Sequence, residues 1–370
     1  MTTFSPQQEE AMKAVRKWMA DKNAPQVFRL FGYAGTGKTT LAKTIRQEVK
    51  GRVQYGAFTG KAALVMQTKG CINARTIHSL IYKIVDDQAP EPEWELNPES
   101  EVRGARLVII DECSMVDEAL GTDLLSFGTK VLVLGDPAQL PPVGGAGFFT
   151  AQEPDYLLTE VHRQAKDNPI IRLSMMIRAG KDLPRGDYGS VQIFDRWKVD
   201  QDFINERMRT ANQVLVGMNK TRHTYNTNMR QLKEIENPNP ILGERLVCLK
   251  NNRKKGLLNG GIWTVIDTGN VTQKSVTLSV VPQDAGVVKQ ECKVYVHPFF
   301  FLGREQEIEK NHRRHYDEFD FGYALTVHKS QGSQWDDVLL VDESKVFRED
   351  ARRHLYTGLT RAAEKITVLI

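Results

Sequence analysis

Gly32-Tyr33-Ala34-Gly35-Thr36-Gly37-Lys38-Thr39 follows the spacing G-x-x-x-x-G-K-[ST] and is the stretch of this chain best suited to holding a polyanion. Glycines let backbone N–H groups curl round a triphosphate with no Cβ in the way, and a helix starting there points its positive dipole end at the charge. The motif also has the context it needs. An apolar run, Val27 to Phe31, leads into it and a helix-compatible segment, Leu41 to Val49, follows. In such a loop Gly32, Gly35, Thr36, Gly37 and Thr40 line the phosphates, Lys38 reaches the β- and γ-phosphates, and the Thr39 hydroxyl goes to Mg²⁺. A nucleoside triphosphate with Mg²⁺ is the expected ligand.

A second group of reactive residues follows a buried-looking strand. Leu107-Val108-Ile109-Ile110 is continuously apolar and ends in Asp111-Glu112. Two carboxylates at that end lie where a phosphate loop of the same sheet would open. Asp111 can hold Mg²⁺ through water, and Glu112 can take the proton of an attacking water. The run Val131 to Leu134 is likewise followed by Gly135-Asp136-Pro137-Ala138-Gln139, whose Gln139 amide could orient a γ-phosphate or a water.

The elements that must position these groups alternate between strand and helix. Residues 4 to 20 read as a helix with Ser5 as N-cap, Pro6 at its first position and Gln8 at its third; by spacing alone Gln8 is half of a capping box. The strand Val53 to Phe58 ends in Thr59-Gly60-Lys61, on the edge where open α/β sheets bind ligands. Lys61 is there a phosphate contact or a solvated lysine. Thr76-Ile77-His78-Ser79-Leu80 opens the next helix, and a histidine in that position is most often structural. Residues 86 to 101, acidic and Pro-rich around Trp94, read as a surface hairpin or loop.

A second α/β pattern begins near Asn168, with a strand from Gln213 to Val216. Between about 241 and 300, short β-branched runs are separated by Asn251-Asn252, Asn259-Gly260-Gly261 and Thr268-Gly269-Asn270, the texture of a small β-barrel inserted into an α/β domain. The α/β pattern returns at Phe319 to Val327. After it come Thr326 to Gly332, a strand Val338 to Val341, the stretch Tyr356 to Ala362 containing Arg361, and a closing strand Ile366 to Ile370. The two halves look like copies of one plan, only one of them with a phosphate loop.

Composition sets the outer limits. The chain has 370 residues, 41% hydrophobic and 26% charged, a size that suggests more than one domain. Its apolar runs are too short for a membrane span, and Met1 to Pro6 is not expected to be a signal peptide. Cys71, Cys113, Cys248 and Cys292 are scattered without metal or disulfide spacing, so a reducing cytoplasm (of a bacterium or a phage-infected cell) is expected. A net charge of +4 permits a polyanionic partner without demanding one.

Taken together, the segments resemble the superfamily 1 helicases in order and wording, and most of all their RecD/Dda/Pif1-like branch (SF1B). Residues 32–39 resemble motif I, Thr59 to Ala63 motif Ia, Thr76 to Leu80 motif Ib and Asp111 to Val116 motif II. Gly135 to Val143 is similar to motif III, His162-Arg163-Gln164 in part to motif IV, Thr326 to Gly332 to motif V and Tyr356 to Ala362 to motif VI. The resemblance implies an α/β fold of two RecA-like P-loop NTPase domains. Domain 1A would span 1–165, with a short 1B pin at about 84–103 that carries Trp94. Domain 2A would comprise 166–240 and 318–370, and an SH3-like 2B insertion 241–317. It further implies that Gln8 reads the adenine edge, that Gln139 senses the γ-phosphate, and that Arg163 and Arg361 act as arginine fingers. Thr59, Lys61, Thr76, His78, Trp94, His328 and Ser330 would contact DNA.

The function so implied is a DNA-dependent ATPase that moves 5′→3′ on single-stranded DNA and unwinds duplex. Two other readings compete with it: a nucleic-acid translocase that strips proteins or acts on RNA without unwinding, and a nucleotide switch that does not hydrolyse. The Asp111-Glu112 pair argues against the switch, because a switch needs no base. Expected partners are single-stranded, duplex and forked DNA, with single-stranded-DNA-binding, replication or repair proteins as further candidates. A monomer is expected, and no membrane.

Overall fold

The computed structural model of the protein describes residues 4–86, 93–141, 147–161, 167–250, 252, 255–257, 259–283 and 291–370, with every side chain among them except Lys61, Ile84, Val85, Asp86, Glu93 and Trp94. The chain divides into two compact units, the first running to Asp182 and the second from Leu183 to Ile370. No helix among the described residues is long and apolar enough to cross a membrane.

The first unit opens with α1 (Pro6–Ala20) and continues through β1 (Val27–Gly32), α2 (Lys38–Glu48), β2 (Val53–Ala57), α3 (Gly60–Thr68), β3 (Arg75–Thr76) and α4 (Ile77–Ile81). A hairpin of β4 (Tyr82–Asp86) and β5 (Glu93–Leu96) follows, then β6 (Leu107–Asp111), α5 (Glu118–Leu125), β7 (Val131–Gly135), β8 (Tyr156–Leu158) and α6 (Pro169–Arg178). Six strands form one parallel sheet in the order β3-β2-β6-β7-β1-β8. Strands buried on both faces need apolar residues throughout, which is why β6 and β7 read as unbroken hydrophobic runs. Alternation sends Leu30, Ile109 and Leu132 to one face, with α1, α2 and α3, and Phe31, Ile110 and Val133 to the other, with α4 and α5.

The expected end of the first domain at 165 is corrected by the fold. Helix α6 buries Ile170, Leu173 and Ile177 and belongs to the first unit. The hairpin expected within 86–101 is present as an antiparallel pair with Ile84 opposite Trp94; its tip lies outside the described residues.

The second unit contains β9 (Gly186–Asp187), β10 (Val191–Phe194), α7 (Gln201–Thr210), β11 (Gln213–Val216), α8 (Asn219–Leu232), β12 (Arg245–Cys248), β13 (Ile262–Val271), β14 (Val276–Pro282) and β15 (Cys292–Val296). It closes with β16 (Phe319–Phe321), β17 (Ala324–Thr326), β18 (Trp335–Val341), α9 (Ala351–Leu359) and β19 (Ala362–Leu369). Its main sheet runs β17-β11-β18-β19-β10-β9, parallel except for β9. Matched strand for strand, this order repeats that of the first unit: β10 stands where β1 stands, β11 where β2, β17 where β3, β18 where β6 and β19 where β7. The duplication suggested by the sequence is therefore one of connectivity as well as texture.

A separate five-stranded antiparallel sheet, β15-β14-β13-β12-β16, is inserted between α8 and β17. Its end strands are joined by a backbone hydrogen bond in which Asp317 N–H donates to the Tyr295 carbonyl (2.7 Å). One apolar cluster continues from Val214, Leu339 and Leu369 into Leu246, Val280 and Val294, so this sheet and the main sheet of the unit share a core.

The run Phe319 to Val327, expected as the return of the α/β pattern, is split between the two sheets. Phe319–Phe321 pairs with β12 and Ala324–Thr326 with β11, so the inserted sheet extends past 317 to Phe321. The break falls at Gly322, where a Cβ would lie 2.9 Å from the Leu246 carbonyl carbon. Asn226 clamps the turn, donating to Phe321 O (3.1 Å) and accepting from Ala324 N (2.8 Å).

Candidate active site

In the first unit the C-terminal ends of the parallel strands collect the groups singled out from the sequence. This is the edge where open α/β sheets bind ligands. The loop after β1 turns at Gly35 (φ 79°) and Gly37 (φ 81°), left-handed conformations that glycine adopts without strain. Gly32 needs its bare backbone for a different reason: a Cβ there would sit 2.6 Å from Thr36 Oγ1 and 2.8 Å from Leu158 Cβ. The cradle has the shape of a phosphate loop, and α2 starts at its end.

Within it Lys38 Nζ donates to Gly32 O (2.6 Å) and Tyr33 O (3.2 Å), so its charge is folded over the loop's own carbonyls. Thr36 is fully buried and donates its hydroxyl to Tyr33 O (2.8 Å). Thr40 is exposed on the first turn of α2.

Thr39 Oγ1 lies 3.3 Å from Asp111 Oδ2, which joins the loop to the acid pair at the end of β6. Asp111 Oδ1 accepts from Glu112 N (2.9 Å). Burial, and after it the adjacent Glu112 charge, push the Asp111 carboxyl up; Lys38 pulls it the other way. A hydroxyl beside a buried carboxylate with a cation opposing its neutralisation is a donor set that suits a hard divalent ion. Glu112 is in the left-handed region (φ 53°), a conformation a bulky residue adopts at some cost, here at a position proposed for chemistry. Gln139, on the loop after β7, is buried with its N–H donating to Asp136 O (3.1 Å).

Gln8 does more than its spacing implies. The capping box is formed: Ser5 N donates to Gln8 Oε1 (3.0 Å), and Ser5 Oγ accepts from Gln8 N (3.3 Å). The same amide donates through Nε2 to Thr36 O (2.9 Å), so the cap also ties α1 to the phosphate loop. Sequence reasoning missed its neighbour Gln7, whose Oε1 accepts from Thr159 N (2.9 Å) and Glu160 N (2.8 Å) and so docks α1 on the segment after β8.

One strand from the acid pair, after β2, Thr59 caps α3 by accepting from Ala62 N (3.1 Å); two strands away, on β3, Thr76 caps α4 by accepting from Ser79 N (3.2 Å). The register places Ala57 beside both Asp111 and Thr76, so these ends are level. His78 is exposed and lies between Phe58 (6.4 Å, edge-on) and Tyr82 (5.6 Å). This row of rings went unread because Phe58 and Tyr82 look like ordinary strand residues. The Lys61 and Trp94 side chains, and all of His162-Arg163-Gln164, lie outside the described residues.

Three of the expected site residues are in the second unit. Arg361 is buried at the start of β19, donating through Nε to Thr357 O (3.1 Å) and through Nη1 to Ser333 O (3.1 Å). Ser330 is fully buried; its hydroxyl turns inward to Val327 O (2.8 Å), its N–H donates to Thr326 O (3.0 Å) and its carbonyl accepts from Ser333 N (3.0 Å), so it holds the turn after β17. His328 is half-buried, 5.2 Å from the Phe347 ring, and burial lowers its pKa.

The repeated topology also explains a residue pair that the sequence reading passed over. Asp342-Glu343 follows β18 as Asp111-Glu112 follows β6. Here the second acid is structural: the Glu343 carboxylate accepts from Gly217 N (2.8 Å), Met218 N (3.0 Å) and Thr221 Oγ1 (2.6 Å), and so fixes the turn that leads into α8.

His354, on α9, stacks flat on Phe347 (4.2 Å, 14°), and neither of its ring nitrogens has a hydrogen-bond partner among the described residues. Burial holds its pKa down at about 3. The unfolded chain takes up a proton near the ordinary imidazole value and the folded chain does not. Stability is therefore whole above that value and lost as pH falls toward 3, by about 1.4 kcal/mol per pH unit. His354→Phe should flatten the acid limb of a pH–stability curve by one proton; an unchanged slope would contradict this account.

Comparison with known proteins agrees with this arrangement. A family model described as an AAA domain matches residues 3–194, and one described as a UvrD-like helicase C-terminal domain matches residues 321–369. The chain is 27% identical to an ATP-dependent RecD2 DNA helicase of Deinococcus radiodurans, over 95% of this chain but only 49% of that protein. It is 25% identical to an ATP-dependent DNA helicase Pif1 of Bdellovibrio bacteriovorus, over 90% of this chain and 81% of that one. The chain thus spans about half the length of the RecD2 relative and 31% of a probable conjugal transfer protein TraA that it also matches.

Among solved structures, the fold is similar to a Pif1 helicase studied at forked dsDNA (TM-score 0.58, 19% identity, covering 100% of this chain and 92% of that one). It is also similar to Pif1 helicase from Candida albicans (TM-score 0.55, 19% identity, 100% and 94%). With a phosphate loop, an acid pair and a doubled α/β plan in place, the chain belongs to the AAA-domain family, and its relatives are of the RecD/Pif1-like branch of the superfamily 1 helicases.

Proposed function

We propose that the protein is an ATP-dependent DNA helicase that moves 5′→3′ along single-stranded DNA and unwinds duplex. The observation that carries the reading is the 3.3 Å approach of the Thr39 hydroxyl to Asp111, with Glu112 next in the chain and Lys38 in the same loop. Those groups suit hydrolysis of a phosphoanhydride. Mg²⁺, held by Thr39 and Asp111, would neutralise charge on the β- and γ-phosphates. Lys38, held at the Gly32 and Tyr33 carbonyls, would reach the phosphates from there, Gln139 would orient the γ-phosphate or the water, and Glu112 would take the proton of that water. Gln8 would read the adenine edge. Arg361, already tethered by Ser333 and Thr357, would be presented to the γ-phosphate in the nucleotide-bound state, as would Arg163.

The strand-end threonines supply the other half of the reading. Thr59, with the N-terminus of α3, together with Lys61 and Thr76, would hold DNA phosphates. Phe58, His78 and Tyr82 would give bases a stacking surface, which accepts any sequence because every base has a π face. In the second unit the His328 ring would do the same, with Ser330 holding the turn that carries it. The names of the relatives, RecD2 and Pif1 DNA helicases, support DNA as the track.

In this reading the first unit is the 1A domain and its hairpin β4–β5 is the 1B pin. The five-stranded sheet is an SH3-like 2B element, and the remainder of the second unit is 2A. Trp94→Ala should then reduce strand separation several-fold more than it reduces DNA-stimulated ATPase; equal loss of both would undo the pin assignment. The deciding experiment compares partial duplexes with a 5′ or a 3′ single-stranded tail. Unwinding confined to the 5′-tailed substrate is expected. Unwinding of the 3′-tailed one alone would reverse the polarity, and equal unwinding of RNA duplexes would overturn the choice of substrate.

A further inference from the structure

The second residue of the phosphate loop is held more firmly than the motif requires. Tyr33 N–H donates to Leu158 O at the end of β8 (3.3 Å). Its carbonyl receives Lys38 Nζ (3.2 Å), Thr36 Oγ1 (2.8 Å) and Thr36 N (3.3 Å). The Tyr33 peptide thus orients the lysine and the buried threonine on which the loop depends. Its ring in turn lies under the guanidinium of Arg178, whose Cζ is 3.1 Å from the ring centroid.

Arg178 is the last residue of α6 and is not a mobile surface arginine. Its neighbour Ile177 is buried, and the helix ends in a built turn in which Gly180 (φ 76°) donates to Ile177 O (3.0 Å) and Lys181 N to Met176 O (3.0 Å). A cation in a last helical turn also meets the negative end of the helix dipole, which helps to keep it there. Arg is the better residue for such a place because its flat guanidinium stacks on a ring while its edge N–H groups stay available.

We infer that Arg178 is a positioning residue for the nucleotide site, acting through the Tyr33 ring to hold the peptide that aims Lys38. The inference rests on the reading of residues 32–39 as a phosphate loop and adds a residue that no motif of the chain contains. Helix α6 thereby gains a part in the chemistry, since the last helix of the first unit is bonded to the loop that a nucleotide must enter.

The test is a double-mutant cycle on nucleotide binding, read by titration of a fluorescent ADP derivative into the full chain, with a thermal melt on each preparation. Arg178→Gln and Tyr33→Leu should each weaken binding about 10-fold, in line with a stacked cation–π pair. The two together should be little worse than either alone, because both remove the same contact. Arg178→Lys and Tyr33→Phe keep a cation and a ring respectively and should restore most of the affinity without a matching change in melting temperature. In steady-state ATPase, KM should rise more than kcat falls.

Two results would overturn the inference. One is that Arg178→Gln leaves the affinity unchanged. The other is that the two single losses multiply, since Arg178 would then act on the ligand directly and not through Tyr33. Lys38→Ala serves as the control: if it too binds nucleotide normally, the loop itself is misread, whereas a silent Arg178 beside a defective Lys38→Ala removes only this inference.

Discussion

Lys38→Ala should abolish ATP turnover, lowering kcat/KM by about 10³-fold or more. Lys38 is the loop's own cation, and in this structure it neutralises the Gly32 and Tyr33 carbonyls at 2.6 and 3.2 Å. Alanine would leave those oxygens facing a polyphosphate with nothing to offset the repulsion, so nucleotide affinity should fall. It would also remove charge stabilisation where the γ-phosphate gathers electron density in the transition state, so kcat should fall as well. Both parameters are read from one steady-state series, and the melting temperature should change little because the hydrogen bonds of Lys38 among the described residues go to the loop's own carbonyls. Turnover within a few-fold of wild type would mean that the loop is not the catalytic phosphate site.

The second large effect is expected at Glu112, and it should look different. Glu112→Gln keeps the size of the side chain and its hydrogen-bonding reach but cannot accept a proton at neutral pH. kcat should fall by about 10²–10⁴-fold while KM stays near wild type, the pattern of an interaction made only in the transition state. The variant should therefore bind ATP and hold it unhydrolysed. The left-handed backbone at this position (φ 53°) penalises Gln as it does Glu, so the fold should not distinguish them. A normal steady-state rate would remove Glu112 as the base. Loss of nucleotide binding would instead make it a ligand-holding group.

Chemistry that depends on local spacing was legible in the sequence. A phosphate loop needs its glycines, lysine and threonine at fixed offsets, so residues 32–39 announced themselves, as did two acids after an apolar run at Leu107–Glu112. The N-cap at Ser5 was readable for the same reason, whereas the composition around Trp94 left a hairpin and a loop as alternatives. What could not be read depends on contacts distant in the chain. Phe319 to Val327 reads as a return of the α/β pattern, and its division between two sheets depends on the approach of Gly322 to Leu246, 76 residues earlier in the chain, and on Asn226. Asp342-Glu343 has the same wording as Asp111-Glu112 yet its second acid fixes the turn into α8, because Gly217, Met218 and Thr221 supply donors that no local pattern foretells.

Gln8 marks the boundary between the two kinds of signal. Its spacing gave the capping box and the family resemblance gave the adenine role, while the bond to Thr36 O lay in neither. The Arg178–Tyr33 stack is of the same type: two residues unremarkable in sequence become a unit only through the packing of α6.

The central claim is that ATP spent at Lys38, Asp111 and Glu112 is coupled to a DNA strand held at the neighbouring strand ends. Phosphate release in the presence and absence of a single-stranded oligonucleotide measures that coupling directly. The account predicts slow release without DNA and a saturable rise of at least ten-fold with it, about the scale on which a 1.4 kcal/mol coupling shows itself. A rate that is the same with and without DNA would contradict it.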